Sequence, residues 1–212
     1  MRNAVTPLRL CLESAEAEGL ASAAAVRGLI LPRRRFGSPW HYERGRCLTR
    51  GQLDRLLAEI PDQWQLFFSL LASTGLRVSE AIALRWCDLE LREGNPHLHV
   101  HRSIVRGVAG APKSRFGIRS VPVGEDLAQR LLAVRPGGAK DESLVFPNGK
   151  GGALAPDNIR SRVLLPAIER AGVPRVGFHA FRHTCASLLI ERGLSPLRLQ
   201  RWMGHHSAAY TL

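Results

Sequence analysis

The pattern of apolar and polar residues predicts a mostly helical chain. Apolar residues recur at helical spacing over 53–60, directly after Thr49-Arg50-Gly51-Gln52, which has the form of a capping box and marks a helix start. The capping pattern repeats at Asp62 to Gln65, before the next apolar run, and Gly75 then offers a helix C-cap. We therefore expect two consecutive helices, the second ending at Gly75.

Further helices are expected along the rest of the chain. Residues 9–26 have helical spacing at the N-terminus, and another helix is predicted directly after Arg77. A helix over residues 179–192 is followed by Ser195-Pro196, which supplies an N-cap and a first-position proline for a last helix ending at Gly204.

The segment 97–123 changes to the period-two alternation of strands. Three histidines alternate with apolar residues over 97–101, and residues 119–123 resemble a returning strand. Residues 107–112 would be the turn region. The expected fold class is therefore α+β, mostly helical, with a small antiparallel β-sheet inserted between helices.

Length and composition indicate one principal domain. The chain has 212 residues, of which 45% are hydrophobic, enough for one core of ordinary size with an appendage. We expect a compact domain over 48–212, an isolated helical segment over 1–31 and a basic linker over 32–47. The linker either lies along a phosphate backbone or is a solvated loop. The four scattered cysteines form no C-x-x-C pair, which favours reduced, mostly buried thiols.

The charge balance points to a polyanionic partner. The formal net charge is +12, and only three of the 30 basic residues are lysines. Arginine favours bidentate phosphate contacts, so nucleic acid is a better candidate partner than a membrane, although a solvated surface also explains a high arginine content. No apolar stretch is long enough to span a bilayer and the start of the chain is polar, so a soluble cytoplasmic protein is expected.

Five residues at predicted element ends are candidates for catalysis: Arg77, Lys113, His179, Arg182 and His205. Two arginines can pair with the nonbridging oxygens of a phosphate and stabilise the charge that develops during phosphoryl transfer. A lysine can donate a proton to a leaving oxygen, and a histidine can accept one near neutral pH. Each residue alone is more often structural, so the inference depends on the whole set.

Three sequence boxes resemble those of the tyrosine recombinases, or phage-type integrases. The first arginine box of that family is similar to Thr74-Gly75-Leu76-Arg77-Val78-Ser79-Glu80, and its H-x-x-R box to His179-Ala180-Phe181-Arg182-His183-Thr184. The segment with its second active-site histidine is similar to Trp202-Met203-Gly204-His205, and Lys113 matches its hairpin lysine. Several boxes in the right order, over about 49–212, are more specific than any one of them.

This resemblance implies the family's catalytic fold and its reaction, site-specific DNA recombination or integration. In that reaction a tyrosine attacks a DNA phosphodiester, forms a 3′-phosphotyrosine and releases a 5′-hydroxyl, and a hydroxyl of the partner strand reverses the step. By position, Arg77 and Arg182 clamp the phosphate, Lys113 is the general acid, His179 assists proton transfer and His205 hydrogen-bonds a phosphate oxygen. No cofactor is implied; the implied partners are double-stranded DNA and three further protomers, a homotetramer on two duplexes.

The resemblance also implies a fragment. Residues 1–31 are similar to the last helix of the family's N-terminal core-binding domain, and the family's nucleophilic tyrosine would fall just past Leu212. Tyr210 stands where the family commonly has a packing residue, so we do not expect it to be the nucleophile. The alternatives to a cropped enzyme are a DNA-binding remnant or regulatory module without strand-cleaving activity, and a basic nucleic-acid-binding protein whose boxes match by chance.

Other basic residues are candidate phosphate contacts, which add affinity without reading base sequence: Arg33, Arg34, Arg35, Lys150, Arg160 and Arg162. His97, His99 and His101 suggest a metal site, but no acidic or cysteine ligand is expected nearby, so exposure to solvent or proximity to DNA is predicted instead and no metal is assigned. Glu80 and Asp88 are expected to position backbone or basic groups.

Overall fold

The computed structural model of the protein describes residues 11–12, 14–20, 47–111 and 117–204. The chain divides into two compact units, Met1–His41 and Tyr42–Leu212. In the first unit, residues 14–17 are helical and the helix gives way to a turn at Gly19, whose φ of 72° lies in the left-handed region that glycine enters freely. The prediction of one unbroken helix over 9–26 is therefore wrong.

The second unit opens with helix α1, Arg50–Ala58, at the predicted capping box. Thr49 Oγ1 accepts a hydrogen bond from the Gln52 N–H at 3.2 Å, and Gln52 Oε1 accepts one from the Thr49 N–H at 2.9 Å. Two backbone donors at the helix start are satisfied in this way, which confirms the predicted start of the helix.

Helix α2, Asp62–Thr74, does not begin with the second capping box that the sequence suggested. Its N-cap is Pro61, with no side-chain hydrogen bond to the helix. Gln65 Nε2 instead donates to the carbonyls of Leu57 and Ile60, both at 2.7 Å. The glutamine side chain therefore bonds carbonyls at and just after the end of α1 rather than a donor at the start of α2.

The end of α2 agrees with the prediction. Gly75 has a φ of 65° and its N–H donates to the Leu71 carbonyl at 3.1 Å, as in a left-handed helix cap. Helix α3, Val78–Ala81, follows directly from Arg77. A tight turn that holds Arg77 thus joins the long helix α2 to the short helix α3.

Five short strands are described between α3 and the later helices: β1 Leu89–Glu90, β2 His97–Val100, β3 Ser103–Val105, β4 Val108–Gly110 and β5 Arg119–Pro122. Strands β1, β2 and β5 form an antiparallel sheet with β2 in the centre. His97 pairs with Pro122 and Val100 with Arg119, so the predicted returning strand is confirmed.

Strands β3 and β4 form a separate hairpin that the sequence analysis missed. The turn holds Arg106 and Gly107, with φ values of 52° and 79°. Two consecutive positive φ values match a type I′ turn, which suits the twist of a two-residue hairpin. Residues 108–110 are therefore a strand, and the prediction of a turn over 107–112 is wrong for that part.

Helices form most of the remaining chain: α4 Glu125–Val134, α5 Pro156–Ile159, α6 Leu165–Ala171, α7 Phe178–Glu191 and α8 Pro196–Met203. A π-helical turn, Arg160–Leu164, joins α5 to α6. Helix α8 starts at the Ser195 cap and ends at Gly204, whose φ is 63°, as predicted. No helix in the described part of the chain is long and apolar enough to cross a membrane.

The core packs α2 against α7 through aromatic side chains. Phe68 of α2 lies 5.4 Å from Phe181 of α7 between ring centroids, and Phe67 and Phe68 meet edge to face at 5.6 Å. All three rings are almost fully buried. Since Arg182 follows Phe181, this packing brings its guanidinium beside the C-terminus of α2.

The cysteines differ from the expectation of mostly buried thiols. All four are free, but Cys11, Cys47 and Cys87 are exposed and only Cys185 is buried. Burial raises the pKa of the Cys185 thiol to about 12, so it stays protonated.

Candidate active site

Arg77 lies at the N-cap of α3, where Glu80 holds it. The Glu80 carboxylate accepts the Arg77 N–H at 2.9 Å through Oε2 and Arg77 Nη1 at 2.7 Å through Oε1. The Glu80 side chain is 3% exposed and the Arg77 side chain 36%. A buried carboxylate thus orients a guanidinium that still reaches solvent.

Arg182 is buried and joins the three sequence boxes. Its Nη1 donates to the Gly75 carbonyl at 2.6 Å, and its Nη2 donates to the Met203 carbonyl. Only 4% of Arg182 is exposed. Because Gly75 belongs to the first box and Met203 to the third, one guanidinium from the second box fixes their relative position.

The pKa of Arg182 reflects this crowded, positively charged position. Burial, together with repulsion from Arg77 and Arg119, lowers the pKa of Arg182 to about 9, and the charge of Glu80 opposes that shift. The guanidinium therefore keeps its charge at neutral pH. Two cations, Arg77 and Arg182, lie within electrostatic range of each other around one carboxylate, an arrangement that attracts an anion.

Helix α8 is seated on the C-terminus of α2 by two further contacts. Trp202 Nε1 donates to the Thr74 carbonyl at 2.9 Å. A Cβ atom on Gly75 would lie 2.9 Å from Met203 Cε and 3.3 Å from Cys185 Sγ. Glycine therefore serves both the left-handed cap and the close approach of α7 and α8.

Arg119 is a site residue that the sequence analysis missed. It donates to Glu80 through Nη2 at 2.9 Å and through Nη1 at 3.2 Å, and its Nε donates to the Trp202 carbonyl at 2.7 Å. Its side chain is 5% exposed. A signal was present, because Arg119 alternates with buried Val121 on β5 and so had to face the interior.

Glu80 is the shared acceptor of this buried group. Burial alone would raise the pKa of Glu80, but the hydrogen bond and charge of Arg119, with the backbone N–H and charge of Arg77, outweigh burial and hold that pKa below its ordinary value. The carboxylate is ionised at neutral pH. Glu80 therefore positions basic and backbone groups, as expected from the sequence.

His179 stands on the first turn of α7, three residues before Arg182. Partial burial and the charges of Arg182, His183 and Arg77 lower the pKa of His179 below its ordinary value of 6.5. Part of the residue still reaches solvent, and the ring is mainly neutral at pH 7, so it can accept a proton. His179 therefore shares a helix with Arg182 and feels the charge of both arginines.

Several predicted site residues lie outside the described residues. Neither Lys113 nor His205 belongs to the described part of the chain, and the same holds for Tyr210. The linker arginines Arg33, Arg34 and Arg35 also fall outside it, so their predicted roles stay predictions.

The other predicted DNA contacts lie near α5. Lys150 is exposed on a loop that Asn148 organises by accepting the Lys150 and Gly152 N–H groups at 2.9 and 3.0 Å. Arg160 Nη2 lies 3.3 Å from Asp157 Oδ1, and Arg162 is exposed on the π-helical turn. These positions stand on the surface but do not by themselves test DNA binding.

The predicted environment of the alternating histidines is wrong in one respect. An acidic side chain does lie beside them: Glu90 on β1 is 3.3 Å from His97 Nε2 and 3.2 Å from His99 Nε2. Antiparallel pairing of β1 with β2, which local pattern did not reveal, brings it there. His101 lies apart from this pair and is 3.3 Å from Asp88, whose carboxylate also accepts from Arg102.

The arrangement around Arg77 suits binding of a phosphate diester. The Arg77 guanidinium reaches solvent, the Arg182 guanidinium is buried but feels the charge of Arg77, and a mainly neutral histidine lies on the same helix as Arg182. Charged donors of this kind stabilise the extra negative charge of a phosphoryl-transfer transition state.

Comparison with protein families identifies the family of this chain. A model of the phage integrase family matches residues 46–211. The chain belongs to this family. The match includes all three boxes joined by Arg182.

Curated relatives carry names of recombinases and integrases. The tyrosine recombinase XerC of Xanthomonas campestris is 31% identical over 162 residues, covering 73% of this chain and 46% of that protein. A putative prophage phiRv2 integrase of Mycobacterium tuberculosis is 30% identical over 178 residues, covering 79% of this chain and 46% of that protein. The chain thus spans about half the length of these relatives.

Solved structures share the fold. The integrase of transposon Tn1549, in complex with circular intermediate DNA, superposes with a TM-score of 0.75 at 22% identity, covering 100% of this chain and 73% of that one. The XerA recombinase superposes with a TM-score of 0.63 at 22% identity, covering 93% of this chain and 65% of that one. The mostly helical fold with a small antiparallel sheet is that of tyrosine recombinase catalytic domains.

Proposed function

We propose that this chain binds a DNA phosphodiester at Arg77, Arg182 and His179 and acts in site-specific DNA recombination. The observation that carries the proposal is the pair of hydrogen bonds from Arg182 to the Gly75 and Met203 carbonyls, which holds parts of three separate boxes together. The recombinase names of the relatives and the DNA in the Tn1549 integrase complex support it.

In the proposed reaction a tyrosine oxygen forms a bond to phosphorus and the bond from phosphorus to the 5′-oxygen breaks. Arg77 and Arg182 stabilise the charge on the nonbridging oxygens, and neutral His179 accepts the tyrosine proton. Lys113 gives a proton to the leaving 5′-oxygen, and His205 donates a hydrogen bond to the phosphate. A 5′-hydroxyl then attacks the phosphotyrosine, which restores the tyrosine and joins the strands.

The proposed partner is duplex DNA, bound mainly through its phosphates. The net charge of +12 supports this choice. Arg33, Arg34, Arg35, Lys150, Arg160 and Arg162 would extend the contact beyond the reacting phosphate. A homotetramer on two duplexes belongs to the same proposal.

DNA affinity measured at several salt concentrations tests the binding step. We expect affinity to fall steeply as salt rises, because bound phosphates release counterions. Arg77→Ala should weaken binding more than Arg130→Ala, a matched loss of one exposed arginine on α4. Equal losses for the two variants would contradict a phosphate site at Arg77.

A second candidate is a DNA-binding module without strand-cleaving activity. Tyr42 and Tyr210 are the tyrosines of the 212 residues, so a test for strand cleavage by this chain must examine Tyr210. A nicked suicide substrate traps any covalent protein–DNA adduct, and we expect none from the 212-residue chain. An adduct that disappears in Tyr210→Phe would identify Tyr210 as the nucleophile and exclude this candidate.

A further inference from the structure

The exposed face of the three-stranded sheet carries a cluster that recombination chemistry does not use. Glu90, His97 and His99 each direct one potential metal ligand atom to a common point, and these atoms all lie within 4.8 Å of one another. The Glu90 carboxylate is 3.3 Å from His97 Nε2 and 3.2 Å from His99 Nε2. We call these three residues the histidine face.

Strand geometry explains why the three side chains meet. Leu98 and Val100 are buried on the inner face of β2, so the intervening His97 and His99 point outward. Glu90 is directly opposite His97 in the antiparallel ladder. Cross-strand neighbours on one face are close enough for side chains to share a ligand.

The outer nitrogens of both rings already have partners. His97 Nδ1 lies 3.0 Å from the Asn95 carbonyl oxygen, and His99 Nδ1 lies 2.9 Å from Ser120 Oγ. Metal-binding histidines usually donate their second ring N–H to such an acceptor, which fixes the ring and its tautomer. The histidine face therefore has both the ligand atoms and the outer hydrogen bonds of a metal site.

The two ring contacts of His97 require a positive charge between its Nε2 atom and the Glu90 carboxylate. A carbonyl can only accept, so His97 Nδ1 carries a hydrogen, and in the neutral ring Nε2 then presents a lone pair. That lone pair faces the Glu90 carboxylate at 3.3 Å. Two acceptors at this distance repel unless a positive charge, either a proton on Nε2 or a metal ion, lies between them.

We propose that Glu90, His97 and His99 bind one divalent transition-metal ion of the Zn²⁺ class through a carboxylate oxygen and the two Nε2 atoms. Two imidazoles and a carboxylate suit zinc and its neighbours better than Mg²⁺ or Ca²⁺, which prefer oxygen ligands. Water would complete the coordination. The ion would link β1 to β2 and, through Ser120, to β5.

This site is separate from the proposed phosphate site. Ser120 neighbours Arg119 on β5, but the two side chains lie on opposite faces of the sheet. An ion on the histidine face would therefore stabilise the sheet from its outer side without contacting the bound phosphate. The proposal does not depend on whether the chain cleaves DNA.

Zn²⁺ titration of the chelator-treated 212-residue chain tests the proposal, with competition against a chromophoric chelator as readout. We expect one ion per chain and a melting temperature that rises with Zn²⁺ concentration. His97→Ala/His99→Ala should lower the affinity by more than about 100-fold, and Ser120→Ala by about 10-fold, because outer hydrogen-bond partners contribute less than ligands.

His101→Ala is the matched control, since His101 continues the alternation but pairs with Asp88 instead. Its Zn²⁺ affinity should equal that of the parent. Co²⁺ absorption supplies a direct readout of ligand change, and circular dichroism checks that each variant folds. If the double variant does not fold, Glu90→Gln, an isosteric change at an exposed residue, replaces it in the Zn²⁺ titration. Unchanged Zn²⁺ affinity in the folded double variant or in Glu90→Gln, or equal losses in His101→Ala, would overturn the proposal.

Discussion

The two charged regions of this protein are built in opposite ways. The arginine cluster, formed by Arg77, Glu80, Arg119 and Arg182, is mostly buried, and its hydrogen bonds join residues up to 107 positions apart. The histidine face is partly exposed, and its side-chain hydrogen bonds join residues at most 21 positions apart. Breaking a buried contact leaves groups without partners, whereas water replaces an exposed one. The first region should therefore maintain the fold and the second should respond to a ligand.

The largest expected effect comes from Arg182→Ala. This change removes a buried cation and leaves the Gly75 and Met203 carbonyls without their donor, so we expect a loss of about 4 kcal/mol in the free energy of unfolding. Urea unfolding followed by circular dichroism measures it. Arg192→Ala, exposed at the end of the same helix, should cost at most about 0.5 kcal/mol. Similar losses in both would show that Arg182 does not join the boxes.

A smaller but pH-dependent effect is expected from Glu80→Gln. Loss of the carboxylate leaves the buried Arg119 without its ion-pair partner and should cost about 3 kcal/mol at neutral pH. The folded pKa of Glu80 lies below its ordinary value of 4.5, so the carboxylate's contribution is present above that pH and is lost as the pH falls through the folded value. The difference between parent and variant should therefore shrink on acidification, and a constant difference down to pH 2 would contradict it.

Comparing Gly75→Ala with Gly172→Ala separates the cost of backbone strain from the cost of disturbed packing. Gly75 and Gly172 have φ values of 65° and 61°, but only an added Cβ at Gly75 would meet neighbours. We expect Gly172→Ala to cost about 1 kcal/mol from strain alone and Gly75→Ala about 2 kcal/mol. Thermal melts compare the two variants. Equal losses would mean that Met203 moves aside freely.

The smallest effect is expected on the histidine face. Without added metal, Glu90→Gln should leave the urea midpoint at the parent value, because this exposed carboxylate is well solvated. A midpoint shift as large as that of Gly75→Ala would show that the face already contributes to the fold, and the contrast between the two regions would fail.

The sequence was most informative where a structure depends on neighbouring residues. The Thr49 capping box, the Ser195 cap and the glycine caps at Gly75 and Gly204 are confirmed, because caps involve contacts within a few residues. Local reasoning was wrong at Gln65, whose side chain bonds the preceding helix instead. The side chain has two possible sets of partners there, the start of its own helix and the carbonyls of the preceding one, and the packing of the two helices decides between them.

In the candidate site, too, the sequence indicated some residues and only the tertiary structure revealed others. The order and spacing of its boxes indicated Arg77, His179 and Arg182, since the residue types themselves carry the chemistry of phosphate binding. Arg119 and Glu90 could not be assigned in this way. Their roles follow from strand register and from the packing of α8, which join distant parts of the chain.

Sequence alone was enough to predict the family, several helix caps and the residue types proposed to contact a phosphate, because these are encoded in motifs and short-range patterns. Tertiary structure alone decided that Arg182 lies between Gly75 and Met203, that Arg119 shares Glu80, and that Glu90 stands beside two histidines. Glu90 reaches its histidines across two neighbouring strands, whereas each arginine must find its partners 21 to 107 positions away in the chain. Burial then makes that partner obligatory, since an unpaired charge in the core is costly.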